Sequence, residues 1–181
     1  KKAFESAINK LKKAGASISE IFVSSVDEAM ELTGFLYSPE AYATWKHKIE
    51  KTPDLMFAKI LERFRSGANV LASDFICAWD KLMDLRQQYH LAVEMYDAVL
   101  IPTSPIIPPE LDRLMNDGDF YNSQNLLALR NTRIGNLMGG CSITLPTDIP
   151  SCGLLIMGMP SQEERLLRLA QACELVLSRN Q

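Results

Sequence analysis

The chain has 181 residues, a mass of 20.3 kDa and 47% hydrophobic residues, which is typical of one globular domain with a sizeable core. Its formal net charge of -3 and pI near 5.5 give no electrostatic case for a nucleic-acid or membrane partner, because such surfaces are recognised by a basic excess. The lysine cluster within residues 1–13 is typical of a solvated helix face.

The cysteines indicate a reducing compartment. They are widely spaced, form no CxxC pair and have no histidine at metal-ligand spacing; they are Cys77, Cys141, Cys152 and Cys173. We therefore predict a cytoplasmic protein with buried thiols. No signal peptide is visible, and the longest apolar runs are far shorter than the roughly 20 residues of a membrane-spanning helix. The chain starts inside a helical pattern and without an initiator methionine, so we expect it to be the trailing piece of a longer protein.

The first half of the chain is predicted to be mainly helical. Apolar residues at helical spacing predict a helix over residues 1–14, and a β-branched run predicts a strand over 18–23 that is buried on both faces. Three start signals then predict three further helices. They are Ser25 in a capping box before a helix reaching about residue 36, Ser38-Pro39, and Thr52-Pro53-Asp54.

The second half alternates helices with short strands. A long amphipathic helix is predicted over about 73–95, followed by a strand that ends at Pro102 and a proline-rich turn. Residues 112–119 are predicted as a polar loop and 121–130 as a helix. Strands follow at 142–145 and 153–157, and Pro160 precedes a final helix. The sequence thus predicts a helix-rich α/β chain, a single segment over 1–181, whose few short strands belong to a wider sheet.

No residue type forms a recognisable catalytic or metal-binding motif. Cys141 lacks a cysteine-protease signature and is better explained as a small core residue, and Asp97 as a turn residue. His47 and His90 have no second ligand at metal-binding spacing. Since HExxH, P-loop and GxGxxG patterns are absent from the sequence, we predict no metal and no cofactor.

Three polar residues are the candidate substrate contacts. Thr132, Arg133 and Asn136 fall in what reads as a glycine-bearing loop that leads into a strand, and loops held by a scaffold often carry function. Side-chain hydrogen bonds that only fix the loop explain the same residues equally well. Both interpretations remain open at this level.

Three segments in order resemble the C-terminal part of the amidase signature family. YDAVLIPTSP, residues 96–105, is similar to that family's YDALLTPTAP strand, and TRIGNLMGGCSITLP, residues 132–146, to its TRPxNLTGxPAxSxP segment. GLLIMG, residues 153–158, resembles its VGLQLIGxP strand, and the final helix matches its closing helix. Ile134 and Gly140-Cys141 depart from the pattern, which concerns the subfamily and the shape of the loop.

The resemblance implies the C-terminal portion of the amidase signature fold, a mixed β-sheet covered by α-helices. It implies a hydrolase acting on carbon-nitrogen bonds of a small-molecule amide through a Ser-Ser-Lys triad in a missing N-terminal catalytic half. No residue of this chain matches that triad. The chain itself would supply scaffold and part of the substrate cleft, with substrate-side residues near Thr132 and Arg133, and would be inactive alone.

Two other functions fit the same sequence. A non-catalytic scaffold or interaction protein derived from the amidase fold is compatible with motifs that are mainly structural. An independent hydrolase using Cys141 and His90 is the third hypothesis. In addition, unpaired sheet edges and an uncovered apolar face predict self-association of the chain in isolation.

Overall fold

The computed structural model describes residues 1–178, which contain nine α-helices, two 3-10 turns and three strands. The helices are α1 Lys2–Lys13, α2 Ser24–Glu31, α3 Thr33–Ile49, α4 Ala58–Ser66, α5 Ala72–Val93, α6 Leu111–Asn116, α7 Gly118–Ala128, α8 Arg130–Met138 and α9 Glu163–Ser178. The strands are β1 Val99–Pro102, β2 Cys141–Pro146 and β3 Gly153–Gly158, and the 3-10 turns are Pro53–Leu55 and Gly67–Asn69.

The described chain divides into two compact units. The first contains residues 1–22 together with those from 90 onward, and the second contains residues 23–89. All three strands lie in the first unit, and the second is helical. Two compact units can belong to one folding domain. The single segment without an internal boundary, predicted over residues 1–181, therefore stays a prediction.

The sheet has the strand order β1-β3-β2, with β3 in the middle. Both neighbours run antiparallel to β3, and Ile156 pairs with Leu100 on one side and Ile143 on the other. The predicted α/β class is confirmed. The three strands pair only antiparallel, so any parallel pair of the predicted mixed sheet would involve strands outside this chain.

One face of the sheet packs against α1 and α9. Side chains alternate between faces along a strand, so Leu154 and Ile156 of β3 point to this side, and both are fully buried. The two helices contribute residues at helical spacing, which places them on one stripe of each helix. These residues are Ala7 and Leu11 of α1 and Leu166, Ala170 and Leu177 of α9. The opposite face of β3 carries Leu155 and Met157, also buried.

The helical unit confirms the predicted stripe of the long helix. Ala78, Leu82, Leu85 and Tyr89 are all buried along α5, at spacings of three and four residues. Elsewhere in this unit, α3 packs against α4 and against the 3-10 turn that begins at Gly67.

Two predicted elements of the first half are wrong. Residues 18–23 form no strand, and Phe22 is 84% exposed, because no other described strand pairs with this segment. Pro39 lies inside α3 instead of opening a helix. Proline there removes one backbone donor, and the helix continues through it because tertiary packing can outweigh local propensity.

Smaller differences concern the ends of helices. Ser25, the predicted N-cap, lies one residue inside α2, whose first residue is Ser24. Thr52 precedes a single 3-10 turn whose first residue is Pro53, and α4 begins only at Ala58. The predicted polar loop over 112–119 is instead α6 and the start of α7, where the Asp117 carboxylate accepts a hydrogen bond of 2.9 Å from the Phe120 amide as an N-cap.

Candidate substrate cleft

The segment expected to be a loop before β2 is the helix α8, so that prediction was wrong. The helix ends at Gly139, which adopts the left-handed conformation with φ of 70°. The Gly140 amide then donates to the Gly135 carbonyl at 3.1 Å, which satisfies one of the carbonyls that a helix end leaves open. One of the glycines that indicated a loop, Gly139, is therefore the residue that ends a helix.

The helix brings the three candidate residues onto neighbouring positions. Thr132 and Asn136 are four residues apart and share a face, and Arg133 is three residues before Asn136. The Thr132 hydroxyl donates to the Leu129 carbonyl at 3.2 Å, which is the local hydrogen bond that the alternative interpretation expects. Arg133 is half-buried, and within residues 1–178 its guanidinium makes no hydrogen bond or ion pair. Substrate contact by these residues stays a prediction.

Two side-chain contacts and the packing of Gly135 hold α8 on the sheet. At its start, Asn131 Nδ2 donates to the Pro102 carbonyl at 2.7 Å. At its end, His90 Nε2 lies 3.1 Å from the Met138 carbonyl oxygen. Between them Gly135 lies over the second face of the sheet, where an added Cβ would be 3.6 Å from Ser142 Oγ. The helix is thus fixed at both ends and in the middle.

A cleft of about 520 Å³ lies where β1 and β2 end and β3 begins, close to the start of α8. Its walls combine apolar side chains with hydroxyl groups, a common composition for sites that bind small molecules. The lining residues are Lys1, Ala3, Phe4, Pro102, Thr103, Ser104, Pro105, Ile106, Ile107, Thr144, Pro146, Ser151, Cys152 and Gly153.

Two of the residues that line this cleft are threonines whose hydroxyls are hydrogen-bonded to each other. Thr103 Oγ1 donates to Thr144 Oγ1 at 3.2 Å, although the residues are 41 positions apart. The antiparallel register brings them together from the two sides of β3. Thr144 of β2 pairs with Leu155, and the Thr103 amide after β1 donates to the Gly153 carbonyl at 2.9 Å, two residues away on β3. The sequence interpretation missed this pair. The alternation of Ser142, Thr144 and Pro146 with apolar residues along β2 was the available signal.

Gly153→Ala is expected to lower the free energy of unfolding of the native gene product by about 2 kcal/mol. The new Cβ would lie 2.6 Å from Thr103 Oγ1 and 2.7 Å from Thr144 Cγ2, and β-branched side chains have few rotamers with which to move away. Urea unfolding midpoints measure the loss. Gly158→Ala in the same strand is the control, because its nearest contact is 3.3 Å, to Cys141 Sγ. Equal losses in the two variants would contradict the crowding at Gly153.

The Asp148 carboxylate, in the turn after β2, has two structural partners. Hydrogen bonding from the Ser6 hydroxyl, together with the Lys10 ammonium 3.4 Å away, holds the pKa of the Asp148 carboxyl below its usual value. The lowered pKa makes this carboxylate a weaker base, and its contacts with Ser6 and Lys10 tie α1 to the turn after β2. It therefore fits a structural role better than that of a general base.

The prediction of buried thiols was wrong, because Cys77 is exposed and the other three cysteines are only partly buried. Cys141 Sγ donates to the Met159 carbonyl at 3.3 Å, and burial raises the pKa of the Cys173 thiol. His90 Nε2 contacts the Met138 carbonyl oxygen and Cys141 Sγ the Met159 carbonyl, so neither contact favours a Cys141–His90 hydrolase. Among the described residues no three of His, Cys, Asp and Glu lie close enough together to hold a metal ion. None of the described helices combines the length and hydropathy needed to cross a bilayer.

Comparison with known proteins gives consistent matches along the chain. A model of the family described as Amidase matches residues 1–167. The chain is 28% identical over 185 residues to 2-amino-5-chloromuconic acid deaminase of Comamonas testosteroni, covering 97% of this chain and 39% of that protein. It is 27% identical over 180 residues to an amidase of Pseudomonas putida, covering 95% and 38%. The chain thus spans about two fifths of the length of the curated relatives it matches.

Solved structures share the fold. The chain matches 6-aminohexanoate cyclic dimer hydrolase with a TM-score of 0.80 and 20% identity, over 98% of this chain and 41% of that one. It matches the urea amidolyase of K. lactis with a TM-score of 0.83 and 19% identity, over 99% of this chain and 11% of that one. The arrangement of helices around the β1-β3-β2 sheet is therefore one that occurs inside larger proteins.

Proposed function

The chain belongs to the amidase family, and on this premise we propose that it is part of an enzyme that hydrolyses the carbon-nitrogen bond of a small amide. The family match over residues 1–167 is the observation that carries the proposal. Relatives named as an amidase and as a deaminase support it, and each is more than twice as long as the matched region. The chain's own free thiols support a cytoplasmic location.

In this proposal the catalytic serine, its partner serine and the lysine lie outside this chain. The serine attacks the amide carbonyl, the amine leaves with a proton, and water then hydrolyses the ester. This chain supplies the sheet on which α8 rests and the substrate-side groups of Thr132, Arg133 and Asn136. The Arg133 guanidinium, which has no partner within the described residues, is available to bind a polar or anionic group of the substrate.

The first experiment is the intact mass of the native gene product, followed by an assay of that protein on small amides. We expect a mass well above the 20.3 kDa of this chain and release of ammonia or amine. A mass near 20.3 kDa without hydrolysis would contradict the proposal and favour the non-catalytic scaffold. A larger protein that contains no serine-rich signature or lysine upstream would point the same way.

Arg133→Ala is expected to lower kcat/KM of the native gene product about tenfold, since a charge-assisted hydrogen bond to substrate contributes about 1.5 kcal/mol or more. Steady-state kinetics across several amides measure the change. Arg130→Ala is the matched control, because Arg130 is exposed and is the first residue of the same helix. Unchanged kcat/KM for Arg133→Ala on every amide would exclude the substrate contact.

A further inference from the structure

The hydrogen bond between Asn131 and Pro102 joins the start of α8 to the end of β1. Pro102 lines the cleft, and the two residues are 29 positions apart in sequence. At 2.7 Å the contact is short for a hydrogen bond between an amide nitrogen and a carbonyl oxygen, and it is partly buried. It is therefore a specific tertiary contact and not a local turn.

The sheet itself leaves this carbonyl without a partner. The Thr103 amide donates to the Gly153 carbonyl, so Thr103 and Gly153 form a hydrogen-bonded pair, while the preceding pair, Pro102 and Leu154, is a non-hydrogen-bonded one. The Pro102 carbonyl therefore points away from β3. Proline suits this position, because its missing N–H would also have pointed outward. Asn131 supplies the donor that neither β1 nor β3 provides.

From this geometry we infer that Asn131 is a positioning residue, whose amide fixes the first turn of α8, and with it Thr132 and Arg133, at the cleft end of β1. Because Thr132 and Arg133 directly follow Asn131 in the sequence, any movement of Asn131 also moves these two residues. The His90 contact holds the other end of α8, so loss of the Asn131 bond is expected to loosen the first turn while the last turn stays in place. The consequence for substrate rests on the proposed function; the anchoring does not.

The test uses Asn131→Asp in the native gene product. The new side chain has the same shape, but its carboxylate cannot donate to the Pro102 carbonyl. We expect amide hydrogen exchange in peptides covering residues 129–134 to become about fivefold faster, with α9 unchanged, because a single hydrogen bond contributes about 1 kcal/mol. We also expect KM for the amide to rise about fivefold while kcat is unchanged. The displaced residues would bind the substrate and its transition state more weakly to the same extent.

Asn122→Asp is the matched control, because Asn122 is exposed on the neighbouring helix α7 and undergoes the same chemical change. It should alter neither measurement. If Asn131→Asp is not recovered folded, Asn131→Ala is measured in the same way.

The outcomes separate the inference from the proposed function. Exchange in residues 129–134 that matches the wild type would overturn the anchoring. Faster exchange with an unchanged KM in an active enzyme would overturn the positioning role, because a purely structural contact alters stability without altering substrate binding. If the wild type hydrolyses no amide, the proposed function fails, and the exchange measurement alone decides whether Asn131 holds α8.

Discussion

Gly67→Ala is expected to lower the free energy of unfolding by about 3 kcal/mol. A Cβ at Gly67 would overlap the Ser38 carbonyl oxygen and lie 2.6 Å from the Pro39 nitrogen, so the clash is with backbone of α3 and not with a side chain that can rotate. Relief requires the 3-10 turn to move off α3, which also exposes apolar surface where α3 meets α4. Urea unfolding of the native gene product, monitored by hydrogen exchange within residues 33–66, measures the loss.

Gly34→Ala provides a stringent control for this prediction. Gly34 lies in α3 like the residues that Gly67 contacts, but an added Cβ there meets nothing within 4 Å. Alanine is also the better helix former by about 1 kcal/mol, so this variant is expected to be at least as stable as the wild type. A Gly67→Ala variant whose midpoint equals that of Gly34→Ala would show that the turn does not lie so close to α3.

The Gly67 contact also illustrates why part of the fold could not be predicted from the sequence. Ser38-Pro39 carries the local signal of a helix start, and that signal is sound as far as neighbouring residues are concerned. The structure places both residues inside α3, with a residue nearly thirty positions later packed against them. Local propensity contains no information about such a contact, so the prediction of a new helix at Ser38 was wrong.

The elements that were predicted well are those whose burial is decided by their own periodicity. α1, α5 and α9 each place apolar residues along one stripe, and the strands around Leu100 and Ile156 are short apolar runs ended by proline or glycine. The resemblance to the amidase family depended on these same segments, and the family is confirmed. Where burial follows the local pattern, the sequence was sufficient.

The candidate site was harder to predict because it depends on which strands are neighbours. Asn131, Thr103 and Thr144 come together only after the order β1-β3-β2 and its register are known. Thr132, Arg133 and Asn136 were identified by type and order, but as loop residues, because Gly135 and Gly139 read as loop formers. In the structure Gly135 lies within a helix, over the sheet, and Gly139 ends that helix.

Ile156→Ala is expected to cost about 4 kcal/mol, the largest effect of any single substitution considered for this chain. Ile156 is fully buried in the central strand, and it pairs with Leu100 on one side and Ile143 on the other. Truncation would leave a cavity beneath α1 and α9, and neither edge strand can move in to fill it without breaking its own register. Urea unfolding of the native gene product measures the loss, together with the soluble yield.

A graded series distinguishes the cavity from a general loss of hydrophobic surface. Ile156→Val removes one methylene group and is expected to cost about 1 kcal/mol, because most contacts with the two helices survive. Leu175→Ala removes more apolar surface than that, but Leu175 is 56% exposed on α9, so a change within about 0.5 kcal/mol is expected. If Leu175→Ala were as costly as Ile156→Ala, α9 would have to be covered on its outer face by another part of the protein. The core between the sheet and the two helices would then be only one of the surfaces that stabilise this unit.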